Sequence, residues 1–310
     1  MEAEGLEIKT LEVDGKTASG GSNPNLLING NFDIWQRGTS TTSNGYLADR
    51  FNFTSYNGFT HTQSRQTFTV GQTDVLNNPT YYHRTICAGT PATDAYGVIF
   101  YFVEDVRTMS GETITISFNA KADSNKDIAL RPVQLFGSGG SSAVSLDAQQ
   151  VSLTTSWNTF ELTFNLPSIS GKTIGTSSSL RFDIAYVANG TYQTVYGITN
   201  QSGTFDIAQV KLEEGSVATP FVARPIAEEL ALCQRYYWQN PATIYGTIYA
   251  SDSMIFAPFP VTMRTTPTID VTIRGTVTAT YVDMYKVQLK DGDYTETYVL
   301  SGDLKVDAEL

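Results

Sequence analysis

Between Asn25 and Arg224 the chain alternates short apolar runs with turn residues, and several of the runs keep a period of two. In "TITISFNAKA", Ile114, Ile116 and Phe118 fall on one face; in "LRFDIAYVA", Leu180, Phe182, Ile184 and Tyr186 do the same. Successive side chains of a strand point to opposite faces, so each such run has one buried side. "YYHRTICA", "YGVIFYFVEDV", "ALRPVQLFG", "NTFELTFNL" and "GTFDIAQVKLEEG" also read as strands, bounded by Gly, Ser, Asn and Asp. A series of this kind, with no helical segment within it, predicts a β-sandwich. "GSGGSS" (137–142) and "SISGKTIGTSSS" (168–179) predict loops by composition.

The period changes at "RPIAEELALCQRYYW", which predicts one linking helix over 225–239. Pro225 suits a first helical turn, and Glu228 with Glu229 place negative charge near its N-terminus. Ile226, Leu230, Cys233 and Tyr237 form an apolar stripe at spacings of four, three and four. Two placements of Leu230, Cys233 and Tyr237 stay open: against the chain's own domain, or around a three-fold axis as an oligomer interface. Residues 240–310 return to strand patterning and predict a smaller C-terminal β-domain, with a hairpin at the "DGD" around Gly292. Residues 1–24 hold two short apolar pulses and a Gly/Ser/Asn stretch, and read as an N-terminal arm or attachment segment.

Composition narrows the partners. At 310 residues and 41% hydrophobic, the chain has material for a large core. Its formal charge of -11 comes with no Lys/Arg cluster, so nucleic acid and anionic membrane surfaces are poor partners. The longest apolar run, "VIFYFV", falls far short of the roughly 20 residues that span a bilayer. The start "MEAEGLEIKT" has no apolar core, so no Sec-type signal peptide is expected. Cys87 and Cys233 lack Cys or His neighbours at metal spacing and read as reduced, buried thiols.

Catalytic patterns are sparse. His61 and His83 are the only histidines, and neither has a metalloenzyme spacing. The "DGKT" and "SGKT" fragments lack the first glycine of a phosphate loop, since Thr10 and Leu166 stand there. The acidic pairs Glu104–Asp105, Glu213–Glu214 and Glu228–Glu229 read as solvated surface pairs rather than a glycosidase couple, because neighbours on a strand face opposite ways.

"NLLINGNFDIW", then "TTSWNTFELTF", then "GTFDIAQVKLEEGSVATPF" resembles, over roughly 25–224, the β-jelly-roll of carbohydrate-binding modules. "KLEEGSVATPFVARPIAEELALCQRYYW" and "FPVTMRTTPTI" resemble segments that recur in bacteriophage tail fibres and related virion appendages. Together these imply an all-β chain: a jelly-roll β-sandwich (25–224), one linking helix (225–239) and a C-terminal β-domain (240–310). They imply a non-enzymatic virion protein, assembled in the host cytoplasm, that works as a homotrimer and binds a host-surface glycan during adsorption. The arm would contact other virion proteins. A capsid-decorating role is the alternative, and a polysaccharide depolymerase a more distant one.

The resemblance also implies a structural Ca²⁺ between first and last strands. Asp33 and Asp206 stand at the acidic positions of that pattern, and oxygen ligands suit calcium. Sugar recognition by such folds uses aromatic rings and planar polar side chains. By strand parity Asn119, Arg181 and Asp183 face outward, and Tyr81, His83, Tyr101 and Arg131 are further candidates on strand positions of undetermined face. Trp35 and Trp157 are expected in the core.

Overall fold

The computed structural model describes residues 11–13, 16–18, 23–89, 93–239, 247–248, 254–273, 277–283, 286–291, 298–299 and 302–310. A two-stranded hairpin, β1 (Leu11–Val13) with β2 (Lys16–Ala18), comes first. The sandwich then runs through β3 (Ser40–Thr41), β4 (Gly45–Tyr46), β5 (Phe51–Tyr56), β6 (Thr60–Thr67), β7 (Tyr81–Ala88) and β8 (Tyr96–Glu104). It continues with β9 (Thr113–Ala122), β10 (Lys126–Leu135), β11 (Val144–Ser145), β12 (Gln149–Leu153), β13 (Asn158–Asn165), β14 (Ser179–Ala188) and β15 (Gly203–Glu214). One short helix, α1 (Thr191–Tyr196), interrupts a stretch whose pattern predicts none.

Two antiparallel sheets face each other. One has seven strands in the order β11-β10-β14-β8-β5-β4 with β12 beside β10; the other has six, β13-β9-β15-β7-β6-β3. Apart from β4-β5, β6-β7 and β10-β11, strands that are neighbours in space are not consecutive in the chain, as a jelly-roll requires. The alternation seen in the sequence decides what lies between the sheets. Ile114, Ile116 and Phe118 of β9 meet Leu180, Phe182, Ile184 and Tyr186 of β14 in one core with Phe51, Phe53, Phe205 and Ile207. Cys87 joins that core unbridged, and burial pushes its thiol up to about 12.

The Asn- and Gly-rich segment 25–37 closes one end of the sandwich without forming a strand. Its amides substitute for the missing ladder. Asn25 Oδ1 accepts the N–H groups of Leu27 (2.9 Å) and Leu212 (3.0 Å). Its Nδ2 donates to the Val210 carbonyl at 2.9 Å. Asn29, at φ 61°, ties Ile34 and Asp49 from the inside. Val210 follows a β-bulge at Gln209 (φ 51°) and donates to the Gly30 carbonyl at 2.8 Å. A Cβ on Gly30 would stand 2.1 Å from the Val210 oxygen, so the close approach needs glycine there.

α2 (Ile226–Gln234) is shorter than the 225–239 the sequence predicts. The chain leaves helix because β16 (Tyr237–Gln239) pairs with β23 (Gly302–Asp307). In between lie β17 (Thr247–Ile248), β18 (Met254–Pro258), β19 (Thr268–Ile273), β20 (Val277–Val282), β21 (Lys286–Asp291) and β22 (Tyr298–Val299). They form small sheets in the orders β16-β23-β19, β17-β22 and β18-β21-β20. The hairpin expected at Gly292 lies outside the described residues.

The C-terminal strands are locked to the sandwich by charge. Arg50, 1% exposed, pairs with Glu309 and lies 3.4 Å from the Tyr236 ring centroid. Arg37 reaches Asp307 (3.4 Å) and Glu309 (3.3 Å) and covers the Tyr237 ring at 3.5 Å. Cys233 and Tyr237, two of the three residues offered as an oligomer interface, are therefore buried within their own chain, with Leu230 half-buried beside them. The three-fold placement of Cys233 and Tyr237 is corrected accordingly.

Candidate functional site

The outer faces of the two sheets are built differently. On β8, Tyr101 points inward, so Tyr96, Val98, Phe100 and Phe102 point outward; on β14 the outward set is Arg181, Asp183 and Ala185. The register sets Asn52 beside Phe100 beside Asp183, and Tyr56 beside Tyr96. Asp183 in turn stands opposite Arg131 of β10.

The result is a continuous row of rings. Tyr56 stacks on Tyr96 at 5.6 Å, and Tyr192 of α1 meets Tyr96 edge-on at 4.6 Å. Phe100 follows at 6.3 Å, with the Arg181 guanidinium 4.6 Å over it. Tyr56 is 47% exposed and the other three rings are half-buried, so their faces reach solvent. At the far end, Asp183 is fully buried and accepts Arg181 Nε (2.6 Å), Arg131 Nη2 (2.9 Å) and the Tyr196 hydroxyl (3.1 Å). The small residues Ala129, Ala185 and Ala188 leave room for α1, whose Tyr196 seals that end.

Of the sequence-chosen residues, Arg131, Arg181 and Asp183 come together here. The others do not. His83 is fully buried against Phe32 (5.7 Å) and Trp35 (5.8 Å), and burial pushes its ring down to about 3. Tyr101, 2% exposed, spends its hydroxyl on the Ile28 backbone. Neither can touch a sugar. Tyr81 lies on the other sheet under Arg65, 4.4 Å from its ring centroid. Asn119 also lies on the six-stranded sheet, bonded to Gln209 (3.0 Å) and Thr159 (2.8 Å).

That second outer face is partly covered by its own chain. Phe68 and Val75 of the 68–80 loop are buried against Ala208, with Tyr82 and Trp157 half-buried beside them. Gln209 holds the loop through the Leu76 carbonyl at 2.9 Å. Trp157 thus belongs to this satellite cluster rather than to the main core, whereas Trp35 packs against the core as expected.

The two acids read as calcium ligands have other partners. Asp206, 3% exposed, takes the Arg84 fork at 2.7 and 2.8 Å, with Lys121 at 3.9 Å. Asp33 accepts Asn31 Nδ2 at 2.9 Å, and burial raises its carboxyl above the usual range. Among the described residues no group of three or more His, Cys, Asp and Glu forms a metal-binding cluster.

The acidic pairs are likewise not simply solvated. Glu213 is buried against Lys211 (3.2 Å), Glu229 accepts Arg224 (3.2 Å) and the Asn29 N–H (2.7 Å), and Glu104 accepts Arg235 at 2.9 Å. Asp49 has its carboxyl pushed up to about 6 by burial, but Gln36 and Arg37 enclose it. A general acid has to reach substrate, and Asp49 is buried. Two clefts lie away from the ring row. One of about 560 Å³ is lined by His61, Ser55, Phe59 and Ile86; one of about 530 Å³ is lined by Glu104, Arg107, Arg235 and Arg264.

No protein-family model matches the chain, and no curated protein is similar to it in sequence. Solved structures do resemble it. A family 4 carbohydrate-binding module matches 60% of this chain and 98% of its own, at 18% identity and TM-score 0.36. The family 11 module of Clostridium thermocellum, in complex with a β-1,3-1,4-mixed-linked tetrasaccharide, matches 58% and 98%, at 16% identity and TM-score 0.36. The enzymatically active domain of tailspike protein 4 of bacteriophage CBA120 matches 62% of this chain, which spans 21% of that one, at 12% identity and TM-score 0.36. At these TM-scores the similarities say nothing of what this chain binds.

Proposed function

We propose that the chain is a non-catalytic glycan-binding protein of a bacteriophage particle, a tail fibre or related appendage that holds host-surface glycan during adsorption. The observation that carries the glycan reading is the open row of Tyr56, Tyr96, Tyr192 and Phe100 on the seven-stranded sheet. Tyr56 and Tyr96 lie within 24° of parallel and Tyr192 and Phe100 stand edge-on to Tyr96, so the group offers apolar ring surface to a sugar face, while Asn52 and Arg181 beside it offer hydrogen bonds to hydroxyls. The particle reading is supported by the likeness of "EELALCQRYYW" and "FPVTMRTTPTI" to appendage segments. In it the first 24 residues attach to other virion proteins and the working unit is a homotrimer.

Glycan-array binding of the full chain, with Tyr96→Ala beside it, tests the first part. Retained binding in the variant would remove the ring row from the mechanism. Immunogold labelling of particles tests the second: label on tail appendages supports adsorption, and label on the head would replace it with a decorating role. Light scattering should give three times 33.9 kDa for the homotrimer.

A further inference from the structure

The ring row ends at an excess of positive charge. Asp183 is a single carboxylate, yet two guanidiniums share it: Arg181 through Nε (2.6 Å) and Nη2 (3.1 Å), Arg131 through Nη2 (2.9 Å) and Nε (3.3 Å). The Tyr196 hydroxyl donates to the same oxygen that Arg131 uses, at 3.1 Å. Among the described residues Asp183 is the one acid in ion-pair range of either arginine. A guanidinium has five N–H donors and each of these directs Nε and Nη2 inward, so each keeps Nη1 for another acceptor.

Both side chains still reach solvent, Arg131 at 15% and Arg181 at 21%. The Arg181 guanidinium lies 4.6 Å over the Phe100 ring, which holds it next to the other rings. The acid at the opposite end of the row, Asp94, is committed to the Thr191 N–H at the start of α1, 2.6 Å away.

We infer that the glycan taken by this row is acidic, with its carboxylate or other anionic substituent seated on Arg181 and Arg131 beyond Phe100. The inference rests on the glycan reading of the row and adds its charge class. A neutral sugar would leave one positive charge unmatched beside a desolvated aromatic surface. A uronate would supply the second carboxylate, within reach of the Nη1 that each guanidinium keeps, in a charge-assisted contact. The chain's formal charge of -11 repels polyanions at long range, so selection has to arise from this local contact.

The test is titration calorimetry of the full chain with polygalacturonate, alginate and hyaluronate, each against its carboxyl-reduced neutral form. At least one acidic polymer should bind roughly tenfold more tightly than its reduced form, as a charge-assisted contact permits. Arg181→Gln should close that gap and Arg181→Lys keep part of it. Arg181→Gln leaves Asp183 paired with Arg131, and an unchanged melting temperature checks that the fold is intact. Equal affinity for acidic and reduced forms, or a gap that survives Arg181→Gln, overturns the acidic-ligand inference and leaves the glycan reading standing. No binding to either form of any polymer overturns both.

Discussion

The two outer faces of this sandwich start from similar ingredients and finish differently. Each carries aromatic rings, arginine and one deeply buried aspartate. On the six-stranded face the 68–80 loop buries its Phe68 and Val75 against Ala208 next to Tyr82 and Trp157, Asp206 takes a full fork from Arg84, and Lys211 finds Glu213. On the seven-stranded face α1 covers one end, and the rings from Tyr56 to Phe100 stay open beside two arginines that share Asp183. Rings packed under a loop stabilise the fold; rings left half-open are available to a partner. Local cover, rather than residue type, separates structure from candidate function here.

The largest test of that contrast strikes the covered face. Glu213→Ala takes away the carboxylate paired with Lys211, 1% exposed, leaving the ammonium to the neutral oxygens of Thr219 and Pro220, and should cost about 3–5 kcal/mol of unfolding free energy in urea. Glycan affinity of the folded fraction should not change. A loss of affinity matching that of Tyr96→Ala would put the binding surface on the wrong sheet.

Acid probes the layer just behind the covered face. The fold holds His83 neutral, so its contribution is complete above the unfolded value of 6.5 and is lost as pH falls towards about 3. Asp49 acts the other way: its folded-state carboxyl is raised, so protonation favours the fold and that contribution is lost as pH rises through about 6. His83 is displaced further and should dominate, making the protein less stable in acid. Urea midpoints from pH 7 to 4 should fall slightly, and His83→Gln should make them rise instead, because Asp49 then acts alone; an unchanged slope would mean that other groups set it.

A smaller effect separates the faces directly. Tyr96→Ala should weaken glycan binding about tenfold while leaving most of the stability. Trp157→Ala should do the reverse, lowering the melting temperature with binding intact. Smallest of all, a calcium chelator should leave the melting temperature where it was, since Asp206 is already matched by Arg84. A drop of several degrees would restore Asp33 and Asp206 as metal ligands.

Much of the sandwich is legible from one-dimensional pattern. "YYHRTICA" and "TITISFNAKA" are strands at the bounds their flanking turns suggest, Tyr81–Ala88 and Thr113–Ala122. The site was legible only in part. Parity in "LRFDIAY" put Arg181 and Asp183 outward, because polar and apolar residues alternate there. "YGVIFYFVE" has no such alternation, so nothing local distinguishes outward Tyr96 and Phe100 from inward Tyr101. Tyr192 was out of reach for another reason: its helix follows a glycine and is only six residues long, too short to show a helical period.

Alternation and turn residues, both local properties, are sufficient to determine a β-sandwich and one helix after it. Which rings face water depends on cross-strand register, on a bulge at Gln209 and on which loop lies over which sheet. Those are set by contacts between residues far apart in the chain. Asn25 shows the division: its side chain suits a turn on sequence grounds, but only the folded chain brings it to Val210 and Leu212, where its amide completes the ladder.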